Sequence, residues 1–272
     1  MSALTFTLKI APQQRVDVAP LTPDNLAGKS AADIAALALQ CGNRTLRADE
    51  VFAIEGDDAG QVRFAKSCAK LDYIGKGMTS GSIKVDGDAG AYLGLQLKGG
   101  NIEVSGNVGA YAACEMKKGE ILIRGNAGDF LGAALPGNKK GMAGGIVVVK
   151  GNAADRVGDH MRRGAILIEG NSGAYLGSRM TAGTIAVAGA VGDHLGYAMN
   201  RGTLLLLKAP ATLPPTFNDC GSHTLGFLPL LLKSFQGTDS CFGGLAGSLK
   251  RVRRYAGDMA AMGKGEVLVA LG

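Results

Sequence analysis

Cys220 and His223 stand three residues apart in Asp219-Cys220-Gly221-Ser222-His223, the residue types of a thiol nucleophile and the base that would activate it. Such pairs converge through the fold, and neighbours this close in sequence lack the geometry, so no catalysis is expected from them. The other histidines are His160 and His194. His160 adjoins Arg162-Arg163 and reads as lacking a carboxylate partner at useful spacing. Three histidines so far apart assemble no metal centre within the chain. The cysteines, Cys41, Cys68, Cys114, Cys220 and Cys241, are odd in number and contain no CxxC pair, which argues against a disulfide framework, a zinc knuckle or a ferredoxin-type run. There is no GxSxG elbow, Walker loop or HExxH, so none of those hydrolytic or nucleotide-binding chemistries is indicated. The expectation is a chain with no catalytic and no metal-binding residues of its own.

The remaining candidates are basic. Lys+Arg number 29 against 23 Asp+Glu, a net charge of +6, which suits an anionic cofactor, an acidic partner or nucleic acid without choosing among them. No stretch interleaves basic with aromatic residues as a single-strand binder does, so no nucleic-acid partner is expected. Lys117, Lys118, Arg162, Arg163 and Arg201 occupy neighbouring columns of an internal repeat. They form either a stripe able to guide an anionic tail or an ordinary solvated rim.

That repeat organises the chain. Gly87, Gly106 and Gly125 are nineteen apart, as are Gly151, Gly170 and Gly189; the gap between the two runs is 26, one period plus seven. The surplus falls around Pro136-Gly137-Asn138-Lys139-Lys140, a turn-rich stretch read as a loop pushed out of one repeat. Asn107, Asn126, Asn152 and Asn171 follow the reference glycine, with Asp88 in the same column. Methionines at 78, 116, 142, 161, 180 and 199 form another column, read as core filler. Tyr92, Tyr111, Phe130, Tyr175 and His194 form a third, read as an aromatic ladder. Each repeat ends in an alternating β-branched pair such as Ile83-x-Val85 or Ile121-x-Ile123.

Alternation with period two demands a strand with one face inward. Nineteen residues suit one coil of short strands and tight corners. Glycine at fixed offsets serves positive φ or close backbone approach, and Asn or Asp beside it is expected to tolerate the left-handed region and bond its own turn. The fold expected is all-β: a right-handed parallel β-helix with small α/β caps at both ends. The expected divisions are an N-terminal cap over 1–60, the β-helix over 61–208, and a C-terminal helical cap or docking segment over 209–272. Within the caps, Leu4–Ile10 and Val51–Glu55 read as strands, and Ser30-Ala31-Ala32-Asp33 as a capped helix start. Phe227–Phe235 and the basic Leu245–Met262 read as helices, and Glu266–Ala270 as a closing strand.

Composition bounds the rest. The chain has 272 residues, 43 Gly but only 8 Pro, no Trp, and 46% hydrophobic residues. This excludes collagen and disorder, and no apolar run approaches the roughly 18 residues that span a bilayer. The first residues lack a signal peptide's charged and apolar regions. With the cysteine usage, this leads to the expectation of a cytoplasmic protein without membrane contact.

Gly77-Met78-Thr79-Ser80-Gly81-x-Ile83, Gly125-Asn126-Ala127-Gly128-Asp129-Phe130-Leu131-Gly132-Ala133, Gly141-Met142-Ala143-Gly144-Gly145 and Met161-Arg162-Arg163-Gly164 resemble the C-subunit family of formylmethanofuran dehydrogenases. The glycine lattice is also similar to the C-terminal β-helix domain of the glutamate synthase large subunit. Pro215-Thr216-Phe217-Asn218-Asp219-Cys220-Gly221, Tyr255-Ala256-Gly257-Asp258 and Gly263-Lys264-Gly265-Glu266 resemble its bacterial branch, the C subunit of the formyltransferase/hydrolase complex of methylotrophs. The resemblance covers essentially the whole chain. It implies a structural member of a complex that moves a formyl group from formyl-tetrahydromethanopterin to methanofuran and hydrolyses the product to formate, with the A, B and D subunits as its sister partners. The metal would sit on the A subunit, and a methanofuran-type cofactor would serve the complex, none of it bound catalytically by this chain. The alternative implied is the C subunit of a tungsten or molybdenum formylmethanofuran dehydrogenase. The anionic tail that the five basic residues would guide is then the glutamate-rich tail of such a cofactor.

Overall fold

The computed structural model describes residues 2–271. Strands Ser82–Gly87, Asn101–Val104, Glu120–Ile123, Ala143–Val149, Arg163–Ile168, Thr184–Val187 and Arg201–Leu206 pair in sequence order, each parallel to the next. The register sets like against like: Ile83 opposite Ile102, Ile121 opposite Val147, Ile185 opposite Leu204. A second parallel ladder runs through Ala89, Val108, Ala127, Ala153, Ser172 and Val191. Both ladders pair each repeat with the one before it. The surplus residues leave that register undisturbed, since Glu120 pairs with Ile146 and the excess is looped out before it.

The inward positions form one continuous core. Ile83, Val85, Ile102, Val104, Ile121 and Ile123 are buried, and so is every member of the methionine column from Met78 to Met199. Unbranched Met fills the irregular space at the corner. Ser172 is the exception to apolar filling: its Oγ is buried without a hydrogen-bond partner among the described residues. A buried hydroxyl left unpaired costs about 1–3 kcal/mol, and alanine already occupies the same column at 89, 127 and 153. Ser172→Ala is therefore expected to raise stability by about 1 kcal/mol, read as an upward shift in the thermal midpoint.

The asparagine column works differently from the expectation. The Asn126 backbone N–H donates to Asn107 Oδ1 at 2.9 Å, Asn152 N–H to Asn126 Oδ1 at 2.8 Å, and Asn171 N–H to Asn152 Oδ1 at 2.8 Å. The side chains bond the next coil, not their own turn, and none of these asparagines has positive φ. The adjoining glycines are required by closeness to the coil beneath. The left-handed corners belong instead to the aromatic column and to glycines such as Gly94 and Gly132. At both glycines an added Cβ would press on the end of an isoleucine, Ile121 or Ile166. The corresponding residue one repeat after Gly94 is Ala113, and the residue in the isoleucine's column that matches it, once the seven-residue insertion is counted, is Val147, which lacks that terminal methyl.

Both ends continue the sheet rather than merely covering it. Strand Ala3–Leu8 runs parallel to Asp58–Ser67 and antiparallel to Phe52–Glu55, and Asp58–Ser67 pairs with Ser82–Gly87. Phe6, Phe52 and Phe64 fill the core there, with ring centroids 5.6–6.1 Å apart. Ser30 caps helix Ala31–Ala35 with a reciprocal bond to Asp33, as expected. At the other end Lys264–Leu271 lies parallel to Arg201–Leu206, followed by antiparallel Arg251–Gly257 and Asn218–Thr224.

The helix expected over Leu245–Met262 is therefore corrected. Cys241–Gly247 forms a 3-10 turn and Arg251–Gly257 a strand. Val252 faces inward between exposed Arg251 and Arg253, an alternation of period two that pairing with Lys264–Leu271 selects over helix. Helix Leu228–Lys233 is present and presses Leu228 and Leu232, with Phe235, Phe242 and Leu249, onto the outward residues Val148, Leu167, Ala186 and Leu205.

Candidate functional site

The parallel stacking places the repeat's basic residues along one edge. In the later coils the residue after the methionine donates its N–H to the methionine carbonyl of the coil before: Arg162 to Met142 at 2.8 Å, Thr181 to Met161 at 2.8 Å, Asn200 to Met180 at 2.9 Å. This rail aligns the following side chains. Arg162, Arg163 and Arg201, all exposed, line an open groove of about 710 Å³ with Thr181, Asn200 and Met262. Lys117 and Lys118 lie on the same edge but outside that groove. The coil between them and the arginine pair presents Ala143 and Gly144, since Ala143 N–H donates to Met116 O at 2.7 Å and Ala143 pairs with Arg163. At about 4.8 Å per coil, the lysines stand two coil spacings from the arginines.

None of the five forms an ion pair with a described carboxylate, in contrast to Arg124, Lys150, Arg253 and Arg254. Lys150 bridges Glu169 and Asp239 at 2.9 Å each, and Arg124 joins Glu103 at 2.8 Å. The Lys150 hydrogen bond holds the Asp239 carboxyl below its ordinary range. These cations are committed to holding the 236–241 segment, whereas the groove arginines are free to meet an external anion. Sequence reasoning missed Lys264, which pairs with Arg201 across the last parallel step and carries the stripe one coil further. The signal was present: Lys118-Gly119, Arg163-Gly164, Arg201-Gly202 and Lys264-Gly265 share one dipeptide pattern.

The candidate catalytic residues are not brought together. His223 Nε2 lies 2.8 Å from the backbone oxygen of Cys220, and the Cys220 thiol donates to the Asn218 carbonyl at 3.6 Å. Ring and sulfur thus engage backbone rather than each other. Among the described residues no group of three His, Cys, Asp or Glu side chains is placed to hold a metal. Burial pushes the Cys114 thiol far up, away from reactivity. His194 stacks on Tyr175 with centroids 4.6 Å apart, a ladder member. His160 requires a correction. Its Nδ1 lies 3.2 Å from Asp159 Oδ2, because the left-handed corner at His160, φ 60, turns adjacent side chains toward each other.

Comparison with known proteins identifies the family. A family model described as the GXGXG motif matches residues 59–220. The C subunit of the tungsten-containing formylmethanofuran dehydrogenase 2 of Methanococcus maripaludis is 34% identical over 94 residues, covering 34% of this chain and 35% of that protein. The C subunit of the formyltransferase/hydrolase complex Fhc of Methylorubrum extorquens is 42% identical over 77 residues, covering 28% and 29%. The chain thus aligns with about a third of the length of these curated relatives. A chain of the crystal structure of the formyltransferase/hydrolase complex (FhcABCD) from Methylorubrum extorquens, in complex with methylofuran, matches with a TM-score of 0.93 at 41% identity, covering 98% of this chain and 100% of that one. The chain belongs to the GXGXG motif family and, within it, to the C-subunit family shared by formylmethanofuran dehydrogenases and the formyltransferase/hydrolase complex.

Proposed function

We propose that this chain is the structural, non-catalytic C subunit of a cytoplasmic formyltransferase/hydrolase complex, a rigid right-handed parallel β-helix that grips the sister A, B and D subunits. The observation that carries this reading is the whole-length match at TM-score 0.93 to a chain of such a complex. Two in-phase parallel ladders support the β-helix, and the strong bias of parallel crossovers supports its hand. The residues 1–60 and 209–272 serve as end segments to the stack at 61–208, and exposed Phe227 and Leu230 offer the latter apolar surface for docking. Among the described residues no helix is long and apolar enough to cross a membrane.

The complex would transfer formyl from formyl-tetrahydromethanopterin to methanofuran and release formate in one-carbon oxidation, with the metal on the A subunit. The whole-length structural match, and 42% identity to the Fhc C subunit against 34% to the tungsten and molybdenum formylmethanofuran dehydrogenase subunits, favour this over a metal-pterin dehydrogenase. Lys117, Lys118, Arg162, Arg163 and Arg201 would guide the cofactor's glutamate-rich tail along the open edge. That none of them forms an ion pair with a described carboxylate supports this. Affinity purification of the tagged chain from its native host should recover three sister subunits in fixed ratio; recovery of the chain alone sinks the assignment.

A further inference from the structure

The aromatic column changes character partway along the stack. Tyr73, Tyr92, Tyr111 and Phe130 stack ring on ring with centroids 4.8, 5.2 and 4.7 Å apart. The next coil places Arg156 where a ring belongs, with φ 61 between the 62 of Phe130 and the 60 of Tyr175. Its guanidinium lies 5.8 Å from the Phe130 ring and 4.5 Å from the Tyr175 ring. Stacking between rings occupies the faces of a planar cation and leaves its N–H donors in the plane. Those donors have no carboxylate partner among the described residues.

The neighbouring column switches at the same level. Cys114 and Ala133 give way to Asp159 and Ser178, all buried. Asp159 accepts from Ser178 Oγ at 2.6 Å, Arg179 Nε at 2.9 Å and Arg179 Nη2 at 2.8 Å. It neutralises Arg179 and fixes His160 beside it, but makes no bond to Arg156. The looped-out residues emerge here and overhang the corner, anchored by Asn138 Nδ2 donating to Glu115 Oε1 at 2.5 Å. Together these border a half-open cavity of about 350 Å³ lined by Tyr111, Phe130, Leu135, Asn138, Arg156 and His160, with the paired Asp159 and Arg179 on its wall. Lys139 and Lys140 stand exposed on the overhanging loop. In repeat architectures an insertion confined to one repeat commonly marks the binding face.

We propose that this cavity is a second, separate site that takes a small oxyanion, the carboxylate or phosphate group of a metabolite, on the in-plane N–H edge of Arg156. A stacked guanidinium is already oriented, so little side-chain entropy is lost when it forms a bidentate bond. The site does not depend on the scaffold reading and shares no residue with the arginine groove.

Arg156→Phe tests it, because that substitution completes the ring ladder while removing the charge. The full chain is titrated calorimetrically at low salt with inorganic phosphate and, separately, with citrate. Wild type should bind at least one of the two at one site per chain. R156F should bind it at least about tenfold more weakly (about 1.4 kcal/mol) with an unchanged thermal midpoint. Citrate alone would mark a carboxylate site and phosphate alone a tetrahedral-anion site. If R156F fails to fold, Arg156→Gln retains a planar group and serves in its place. An Arg162→Ala/Arg163→Ala variant should bind the anion as wild type does, which separates this cavity from the groove. Equal binding by wild type and R156F, no binding by wild type, or binding lost only in the groove variant would each overturn the proposal.

Discussion

Gly125→Ala should destabilise the protein by about 3 kcal/mol or more, at the upper end of what overpacking costs, whereas Gly77→Ala should cost only about 1–2 kcal/mol. A Cβ at Gly125 would lie 2.6 Å from both the carbonyl carbon and oxygen of Gly106 and 2.7 Å from Asn107 Oδ1. Those atoms belong to backbone and to the asparagine ladder, so neither can step aside. The Gly125 N–H also bonds Gly106 O at 3.1 Å, which ties the two coils at the point of contact. Gly77 is the control: it adopts φ +68 but has nothing within 4 Å of an added Cβ, so only left-handed strain is felt. Because each coil contacts only its neighbours, hydrogen exchange in G125A should quicken around the two coils that must separate and spare the ends. Equal, small shifts in thermal midpoint for the two variants would contradict the close-stacking account.

Reversing the groove charges, Arg162→Glu/Arg163→Glu/Arg201→Glu, should weaken retention of an oligoglutamate-tailed cofactor by the assembled complex about a hundredfold or more at low salt. Each exposed charge contact is worth about 1 kcal/mol in water-like dielectric, and three are turned from attraction to repulsion. The difference should fade as salt rises toward 1 M, where screening shortens to about 3 Å. The mass of the complex should not change, since all three side chains project from a coil edge and make no internal ion pair. Unchanged retention and formyl throughput at low salt would reduce the stripe to a solvated rim.

The repeat was legible because stacking makes chemistry periodic. The alternating pairs, the methionine column, the aromatic column and the seven-residue excursion are all local patterns, and each sits where its phase required. What escaped reading depends on partners far away in sequence. Arg251–Gly257 carries clustered basic residues that look like one helix face, and only its pairing with Lys264–Leu271 makes it a strand. The unbroken apolar run at Leu204–Leu207 differs from the alternating Ile83-Lys84-Val85 because the later coils are covered on their outer face as well. That contrast is visible in the residues, but only the structure shows that the cover is helix Leu228–Lys233. Arg156 was hidden because a guanidinium does not look like a ring in sequence, although it can replace one in a stack. His160 and Asp159 are adjacent, yet only the left-handed corner shows that they face each other.

The proposed role of this chain is to hold other subunits without chemistry of its own. It is tested most directly by coexpressing the sister subunits with and without it and measuring formyl transfer from the pterin carrier to the furan cofactor, with the isolated chain assayed alongside. Full throughput only when the chain is present, and none from the chain alone, is the result this account predicts. Turnover by the isolated polypeptide, or undiminished throughput in its absence, would contradict it.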